Sequence, residues 1–302
     1  MTTIEVKIKN TLNQQIKLPD GRKLGFATYG DPEGFPVLAF HGTPGSRLWF
    51  EEEDTVSGQL GIRLITTDRP GYGMSGPHPD RTLLDYPQDI AFLLEELKIE
   101  RCSVIGTSGG SIFAAACAFA LPEKIYKAGL IAGVGEFEKG KPPKDMCREN
   151  RFSFNLARNF PRFARLISGY MRKMLFSNPE KYIQSVQQQV KHLCEADQKV
   201  MQDPKNASHL LNHLQEANRQ GVRGIVQEMQ LVTLPWGFSP EEIKTEVEMW
   251  HGTKDTLAPV SSAQELAKRI PDSNLNLVAD QGHFIDADPE IWEKILRSVS
   301  PN

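Results

Sequence analysis

A serine, an aspartate and a histidine stand where three predicted strands end. Ser108 lies in the motif GTSGG (residues 106–110), directly after an apolar run and directly before a helix of small residues. Asp255 follows the apolar run 247–250, and His283 follows the run 275–278. A serine hydroxyl becomes a nucleophile when a histidine takes its proton and a carboxylate holds that histidine in the right tautomer. The chain order Ser, Asp, His therefore predicts nucleophilic acyl transfer.

The serine motif alone has a plainer interpretation, a glycine-rich connection between a strand and a helix, and His283 alone is typical of a structural histidine. Their joint placement favours the catalytic interpretation. Asp280 and Asp286 are rival carboxylates close to His283 in sequence. Either would need the chain to fold sharply back, so we prefer Asp255.

Acyl transfer also needs backbone N–H donors aimed at the negatively charged oxygen that develops in the transition state. We predict the N–H of Gly109, at the start of the helix, as the first donor. The second is predicted in the loop HGTPG (residues 41–45), where Thr43 can donate and Pro44 cannot. We expect His41 to brace this loop, and Asp68, in DRPGYG, to stabilise a turn.

The surrounding elements predict an α/β protein with a mostly parallel, doubly wound sheet. Short strands are predicted over residues 4–9, 14–18 and 24–29, and apolar runs typical of buried parallel strands follow at 37–40, 62–66, 102–106 and 128–132. Helical spacing over residues 82–98 and 110–121 alternates with them. Residues 135–240 show helical patterning only. We therefore predict a core of residues 1–134 and 241–302 with a helical insertion at 135–240.

These motifs together resemble those of the α/β-hydrolase superfamily, over residues 20–134 and 241–299. HGTPG resembles its oxyanion loop, GTSGG its nucleophile elbow, and Asp255 and His283 its acid and base. The resemblance implies the α/β-hydrolase fold and a helical cap at the insertion. Ser108 argues against the dehalogenases and epoxide hydrolases of the superfamily, which place an aspartate at the elbow. HGTPG also looks like the HGGPG of proline iminopeptidases, but DRPG and GTSGGS depart from their DQRG and GGSWGS.

Composition excludes several classes of function. The 302 residues carry 35 Lys and Arg against 38 Asp and Glu, a net charge of -3 that gives no attraction to nucleic acid. No apolar stretch reaches the ~20 residues of a membrane span, and the N-terminal pattern is unlike a secretory signal, so we expect a cytoplasmic protein. The four cysteines lack CxxC spacing and are predicted to be reduced thiols. We expect no cofactor and a monomer or homodimer.

Three further groups of residues have two interpretations each. Trp49, Phe50 and Trp236 are candidates for the substrate pocket or for simple packing. His209, His213 and Glu216 share a helical face but lack the glutamate of HExxH, so we predict no metal site. Residues 136–173 hold ten Lys or Arg against four Asp or Glu, with interleaved Phe, which suits an acidic or membrane partner or, as we prefer, an amphipathic helix with a solvated basic face.

The sequence thus predicts a serine hydrolase that cleaves a small carboxylic ester through an acyl-enzyme on Ser108, without a cofactor. The alternatives are a proline iminopeptidase-like amide hydrolase and a slow-turnover sensor or signalling protein that keeps the same pocket.

Overall fold

The sheet has eight strands, and the computed structural model describes residues 11–301. Their order is β1-β2-β4-β3-β5-β6-β7-β8, antiparallel for the pairs β1/β2 and β2/β4 and parallel for the rest. This is the α/β-hydrolase fold that the motifs predict. The strands are β1 Gln14–Lys17, β2 Lys23–Gly30, β3 Phe35–Phe40, β4 Ile62–Thr67, β5 Cys102–Thr107, β6 Ile125–Ile131, β7 Glu246–Gly252 and β8 Ser273–Val278.

Alternating side chains of the central strands enter two hydrophobic cores. Leu38 of β3 and Val104 of β5 face α2 (Tyr86–Glu96), α3 (Ser111–Ala120) and α10 (Val260–Arg269). Ala39 and Ile105 face α11 (Pro289–Val299), while α1 (Asp54–Gln59) packs on β2 and β4. Because both faces are covered, the central strands β3 and β5 are buried over most of their length, which is why their sequence pattern is so clear.

One predicted strand is not covered by the structure, and one helical segment of the structure was not predicted. The predicted strand over residues 4–9 lies outside the described residues. Between β3 and β4 the structure has a 3-10 helix, Arg47–Glu53, followed by α1, which no pattern in the sequence had indicated.

The chain between β6 and β7, residues 132–245, is called the helical insertion below. Its helices are α4 Arg148–Asn159, α5 Pro161–Ser177, α6 Pro179–Gln189, α7 Glu195–Gln202, α8 Pro204–Ala217 and α9 Arg223–Val232. The division into a core and a cap at residues 134 and 240 stays a prediction. Among residues 11–301 no helix is long and apolar enough to cross a membrane.

In the basic segment of the helical insertion Arg158, Arg162 and Arg165 are exposed, in line with a solvated basic face. Of its phenylalanines, Phe154 is buried, whereas Phe152, Phe160 and Phe163 are exposed. The helix α5 instead buries Ala164 and Leu175. Ala164 and Leu175 therefore lie on the packed side of α5, and the aromatic side chains of Phe160 and Phe163 remain outside.

Candidate active site

Ser108 lies in a strained turn between β5 and α3. Its φ is +54°, in the left-handed region that side chains rarely adopt. A side chain at Gly106 would collide with the Gly110 carbonyl, and one at Gly110 would collide with the carbonyl of Phe40. The two glycines therefore allow the sharp turn that lifts Ser108 to the carboxyl edge of the sheet.

Thr43 lies against this turn, as expected of a second oxyanion donor. A Cβ atom at Gly109 would stand 3.6 Å from the Thr43 backbone nitrogen and would collide with the Thr43 hydroxyl. Thr43, Ser108 and Gly109 also line one cavity. The N–H groups of Thr43 and Gly109 are thus close enough to converge on a substrate oxygen beside Ser108.

Asp255 and His283 form a buried pair at the ends of β7 and β8. His283 Nδ1 lies 2.8 Å from Asp255 Oδ2, and both residues are buried. Asp255 Oδ1 accepts the backbone N–H groups of Leu257 and Ala258, at 2.8 and 3.0 Å. The carboxylate is therefore fixed in place and holds Nδ1 of the imidazole, which leaves Nε2 free to take a proton from a nucleophile.

Charges around this pair move both pKa values. Burial disfavours protonated His283, but the adjacent Asp255 carboxylate, with Asp197 and Asp286 nearby, outweighs it and raises the pKa of the imidazole. Burial alone would raise the pKa of Asp255, yet His283 and His251 together lower it. The carboxylate thus stays ionised opposite an imidazole that readily accepts a proton.

Asp255 differs from the two other candidate carboxylates, Asp280 and Asp286, in its contact with His283. Asp280 is exposed, and among the described residues its carboxylate has an ion pair with Lys254, at 4.0 Å. Asp286 is buried and accepts a hydrogen bond from Trp49 Nε1 at 3.1 Å. Of the three carboxylates, Asp255 is the one hydrogen-bonded to the imidazole.

Ser108 and His283 follow the carboxyl ends of two different strands, β5 and β8. Within the described part of the chain, Ser108 Oγ forms no hydrogen bond to His283. Asp286, in the loop after His283, accepts a hydrogen bond from Trp49 Nε1. The Trp49 ring lies against Gly42, and a Cβ atom at Gly42 would stand 3.5 Å from Ser108 Cβ. In unliganded enzymes catalytic hydrogen bonds are often long and tighten when substrate binds. The loop of His283 therefore meets the turn of Ser108 without the final contact.

Asp197, in α7 of the helical insertion, holds the backbone around His283. Its carboxylate accepts the N–H of His283 at 3.0 Å and the N–H of Phe284 at 3.1 Å, and it is buried. A side chain at Gly282 would collide with this carboxylate. Sequence reasoning missed Asp197, because a single acidic residue on a helix 86 positions before His283 carries no local signal.

Arg69 and Glu228 brace the loop that carries Thr43. Arg69 donates to the carbonyl oxygens of His41 and Gly42, the latter at 3.0 Å. Glu228, in α9, pairs with Arg69 at 2.6 Å, lies 3.3 Å from Arg81 and accepts the Thr43 hydroxyl at 2.6 Å. All these charges are buried, so the oxyanion loop depends on an ion pair between core and insertion.

The two other polar residues of these loops have structural partners. His41 is buried, with Nδ1 2.7 Å from the Gly42 carbonyl oxygen. Burial and the neighbouring Arg69 lower its pKa well below the ordinary value, so it braces the loop as a neutral ring. Asp68 accepts the N–H of Met74 and the guanidinium of Arg47, which stabilises the turn DRPGYG.

A small cavity of about 70 Å³ opens beside Ser108. No Asp, Glu, Lys or Arg is among the residues that line it. Its walls are Thr43, Ser108, Gly109, Val134, Asn150, Phe154, Met229, Val232 and Leu257. The space accepts a small and uncharged group.

Of the three predicted pocket aromatics, two lie near this site. Trp49 and Phe50 line a second cavity, of about 110 Å³, together with Phe284 and Asp286. Trp49 also lies against Gly42, where a side chain would stand 2.9 Å from the indole ring. Trp236 is placed elsewhere: it is buried in the core and packs on Phe238 at 5.5 Å between ring centroids.

The prediction that His209, His213 and Glu216 hold no metal stays a prediction. The rings of His209 and His213 are neighbours, with centroids 5.4 Å apart. His209 Nε2 lies 2.8 Å from the Trp49 carbonyl oxygen, and Glu216 pairs with Arg47 and Arg219. Burial lowers the pKa of His213 to about 3. A different set, Cys147, Glu149 and His192, has side-chain ligand atoms within 4.8 Å of one another, at the surface of the insertion.

Comparison with known proteins places these features in a family. A family model described as alpha/beta hydrolase fold matches residues 36–286. A stretch of 132 residues is 32% identical to a proline iminopeptidase of Arabidopsis thaliana and covers 41% of this chain and 33% of that protein. A proline iminopeptidase of Neisseria gonorrhoeae is 25% identical over 295 residues, 89% of each chain. The chain thus spans about a third of the length of the first relative.

Solved structures share the fold over nearly the whole chain. An esterase from Exiguobacterium antarcticum superposes with a TM-score of 0.67 at 20% identity, covering 95% of this chain and 98% of that one. At this level of identity the likeness concerns the fold alone.

Proposed function

The chain belongs to the α/β-hydrolase fold family, and we propose that it is a serine hydrolase that cleaves small, uncharged carboxylic esters through an acyl-enzyme on Ser108. The observation that carries this proposal is the conjunction of Ser108 in its strained turn with the buried pair Asp255 and His283. A small-molecule substrate follows from the size of the cavity beside Ser108. A cytoplasmic location stays a prediction.

In the proposed reaction Ser108 Oγ attacks the ester carbonyl while His283 Nε2 takes its proton. Asp255 keeps Nδ1 protonated and stabilises the imidazolium that forms. The N–H groups of Thr43 and Gly109 receive the developing oxyanion, each worth about 2.7–4 kcal/mol in kcat. His283 then protonates the leaving alcohol, and water releases the acid from Ser108 by the same steps in reverse.

The lining of the cavity supports an ester over an amino-acid amide. An aminopeptidase substrate brings a free ammonium group close to the scissile bond, and a carboxylate is its natural partner. Glu228, on the insertion, is a carboxylate in contact with Thr43, and it is already committed to Arg69 and Arg81. The uncharged walls instead suit a short acyl chain.

A proline iminopeptidase is the second candidate, because the relatives from Arabidopsis and Neisseria carry that name. Both reactions use the same nucleophile, base and oxyanion donors, so the discrimination lies in the substrate. Turnover of proline p-nitroanilide faster than of p-nitrophenyl acetate and butyrate favours the peptidase.

The decisive experiment compares wild type with Ser108→Ala on p-nitrophenyl esters of increasing chain length and on a fluorophosphonate probe. We expect short esters to be hydrolysed, and Ser108→Ala to lose label and at least about 10⁴-fold in kcat. Ser57→Ala is the matched control, since its buried hydroxyl has no hydrogen-bond partner among residues 11–301. Labelling that survives in Ser108→Ala overturns the proposal, and wild type that binds esters without consuming them favours the sensor.

A further inference from the structure

The outer face of α5 exposes a row of large apolar side chains. Leu166 is 70% exposed and Tyr170 is 65% exposed, and their neighbours on the same face are similarly open. The set, called the α5 face, consists of Phe160, Phe163, Leu166, Ile167 and Tyr170. Monomeric proteins rarely expose contiguous apolar patches of this kind unless the patch binds something.

This exposure is built into the packing of the helix. The helix α5 contacts α4, α6 and α9, and the residues it buries are Ala164 and Leu175. The helical spacing of Phe163, Leu166, Ile167 and Tyr170 groups them on one side of the helix, turned away from the line of Ala164 and Leu175. A rotation that hid them would expose the buried side and break these contacts, so the apolar face is a stable property of the fold.

The charges around the α5 face identify the kind of partner. Residues 150–179 contain six Lys or Arg and no Asp or Glu. Arg158, Arg162, Arg165 and Lys173 are exposed among or beside the apolar side chains. A second copy of the same face would bring these positive charges together, whereas an anionic surface would be attracted to them.

We propose that the α5 face is a docking surface for an anionic phospholipid membrane. A helix with aromatic and aliphatic side chains on one face and Arg or Lys at its flanks lies in the plane of a bilayer interface, with its apolar face among the lipid tails. The exposed cations then meet the negative headgroups. The protein lies on the membrane through α5, which agrees with the finding that no described helix crosses it.

Docking through α5 would place the candidate active site close to lipid. The helix α4, which packs on α5, contributes Asn150 and Phe154 to the cavity beside Ser108. The binding itself needs neither Ser108 nor hydrolysis. The inference therefore stands or falls separately from the proposed function.

The test is flotation of the full chain with vesicles of phosphatidylcholine alone or with about 30% phosphatidylglycerol. We expect the wild type to bind the anionic vesicles, and high salt to weaken that binding. The variant Phe163→Ser/Leu166→Ser/Tyr170→Ser is expected to bind at least about tenfold more weakly. Because these side chains are exposed, its melting temperature should remain that of the wild type.

Charge variants and controls complete the design. Arg162→Glu/Lys173→Glu is expected to remove the preference for anionic vesicles. Leu277→Ser and Lys244→Glu change an exposed leucine and an exposed lysine far from α5 in sequence, and they should bind as the wild type does. The proposal is overturned if the wild type does not bind anionic vesicles, or if the triple variant binds them as well as the wild type does. It is also overturned if the wild type binds no vesicles and light scattering shows that it is a dimer whereas the triple variant is a monomer.

Discussion

The candidate site lies between two parts of the molecule that are built differently. The ends of the strands are called the sheet wall, and the side chains of the helical insertion are called the insertion wall. The sheet wall is made of strand ends, where Ser108 has a fixed left-handed turn and Asp255 is held by backbone N–H groups. The insertion wall consists of side chains from helices: Asp197 on the loop of His283, Glu228 on the oxyanion loop and Met229 at the cavity. Backbone geometry thus fixes Ser108 and Asp255, whereas side chains of the insertion hold the loops of His283 and Thr43 and line the cavity.

The largest loss of activity is expected from a substitution on the sheet wall. In Asp255→Asn the imidazole loses its anionic partner and the tautomer that frees Nε2, so kcat for a short ester should fall by about 10⁴-fold. Asp280→Asn is the matched control and should keep full activity, because that side chain is exposed. If Asp286→Asn costs as much as Asp255→Asn, then Asp286 shares the role assigned to Asp255.

The buried ion pair between the walls gives the next largest effect. Glu228→Gln leaves Arg69 and Arg81 buried without their counter-charge, and we expect a loss of about 3–5 kcal/mol in the free energy of unfolding. Denaturant unfolding measures it. The exposed pair of Glu293 with Arg297 supplies the control, since Glu293→Gln should cost about 1 kcal/mol or less. Equal losses in the two variants would show that Glu228 does not hold the walls together.

Asp197 tests whether the insertion tunes the base. The raised pKa of His283 places the acid limb of kcat/KM above the ordinary histidine value of about 6.5. The Asp197→Asn substitution removes one of the negative charges that raise this pKa, so the pKa of His283 falls. The imidazole then stays unprotonated at lower pH, and the acid limb of kcat/KM moves to lower pH. We also expect kcat/KM to fall about tenfold or more as the loop shifts.

Asp203→Asn, at the start of α8 in the same insertion, is the control for Asp197→Asn. Its side chain accepts the N–H of Lys205, and it should leave the pH profile unchanged. A profile of Asp197→Asn that coincides with the wild-type profile would limit Asp197 to packing.

The smallest effect concerns substrate size. Met229→Ala enlarges the cavity beside Ser108, and we expect longer acyl chains to gain about tenfold in kcat/KM relative to acetate. Met201→Ala widens the other cavity, beside Trp49, and should leave this ratio unchanged. The opposite pattern would move the acyl site to the cavity of Trp49.

The sheet wall could be predicted from the sequence more accurately than the insertion wall. Strands such as β3 and β5 are buried on both faces, so their apolar runs and the motifs that follow them could be located within one or two residues. Helical periodicity in the insertion showed that α5 is amphipathic but not which face meets the protein. A solvated basic face was expected, and Arg162 and Arg165 are exposed, but the apolar side chains beside them are exposed as well, since the buried residues of α5 are Ala164 and Leu175.

Three features could be predicted from the sequence alone: the sheet, the turn at Ser108, and the chain order of serine, aspartate and histidine. These follow from local rules, because burial pattern and turn chemistry act over a few residues. Only the tertiary structure decided that Asp197 holds the loop of His283, that Glu228 neutralises Arg69, and that the α5 face is left exposed. Such contacts join residues far apart in the chain, and their energies depend on how helices pack after the sheet has formed, which no local pattern encodes.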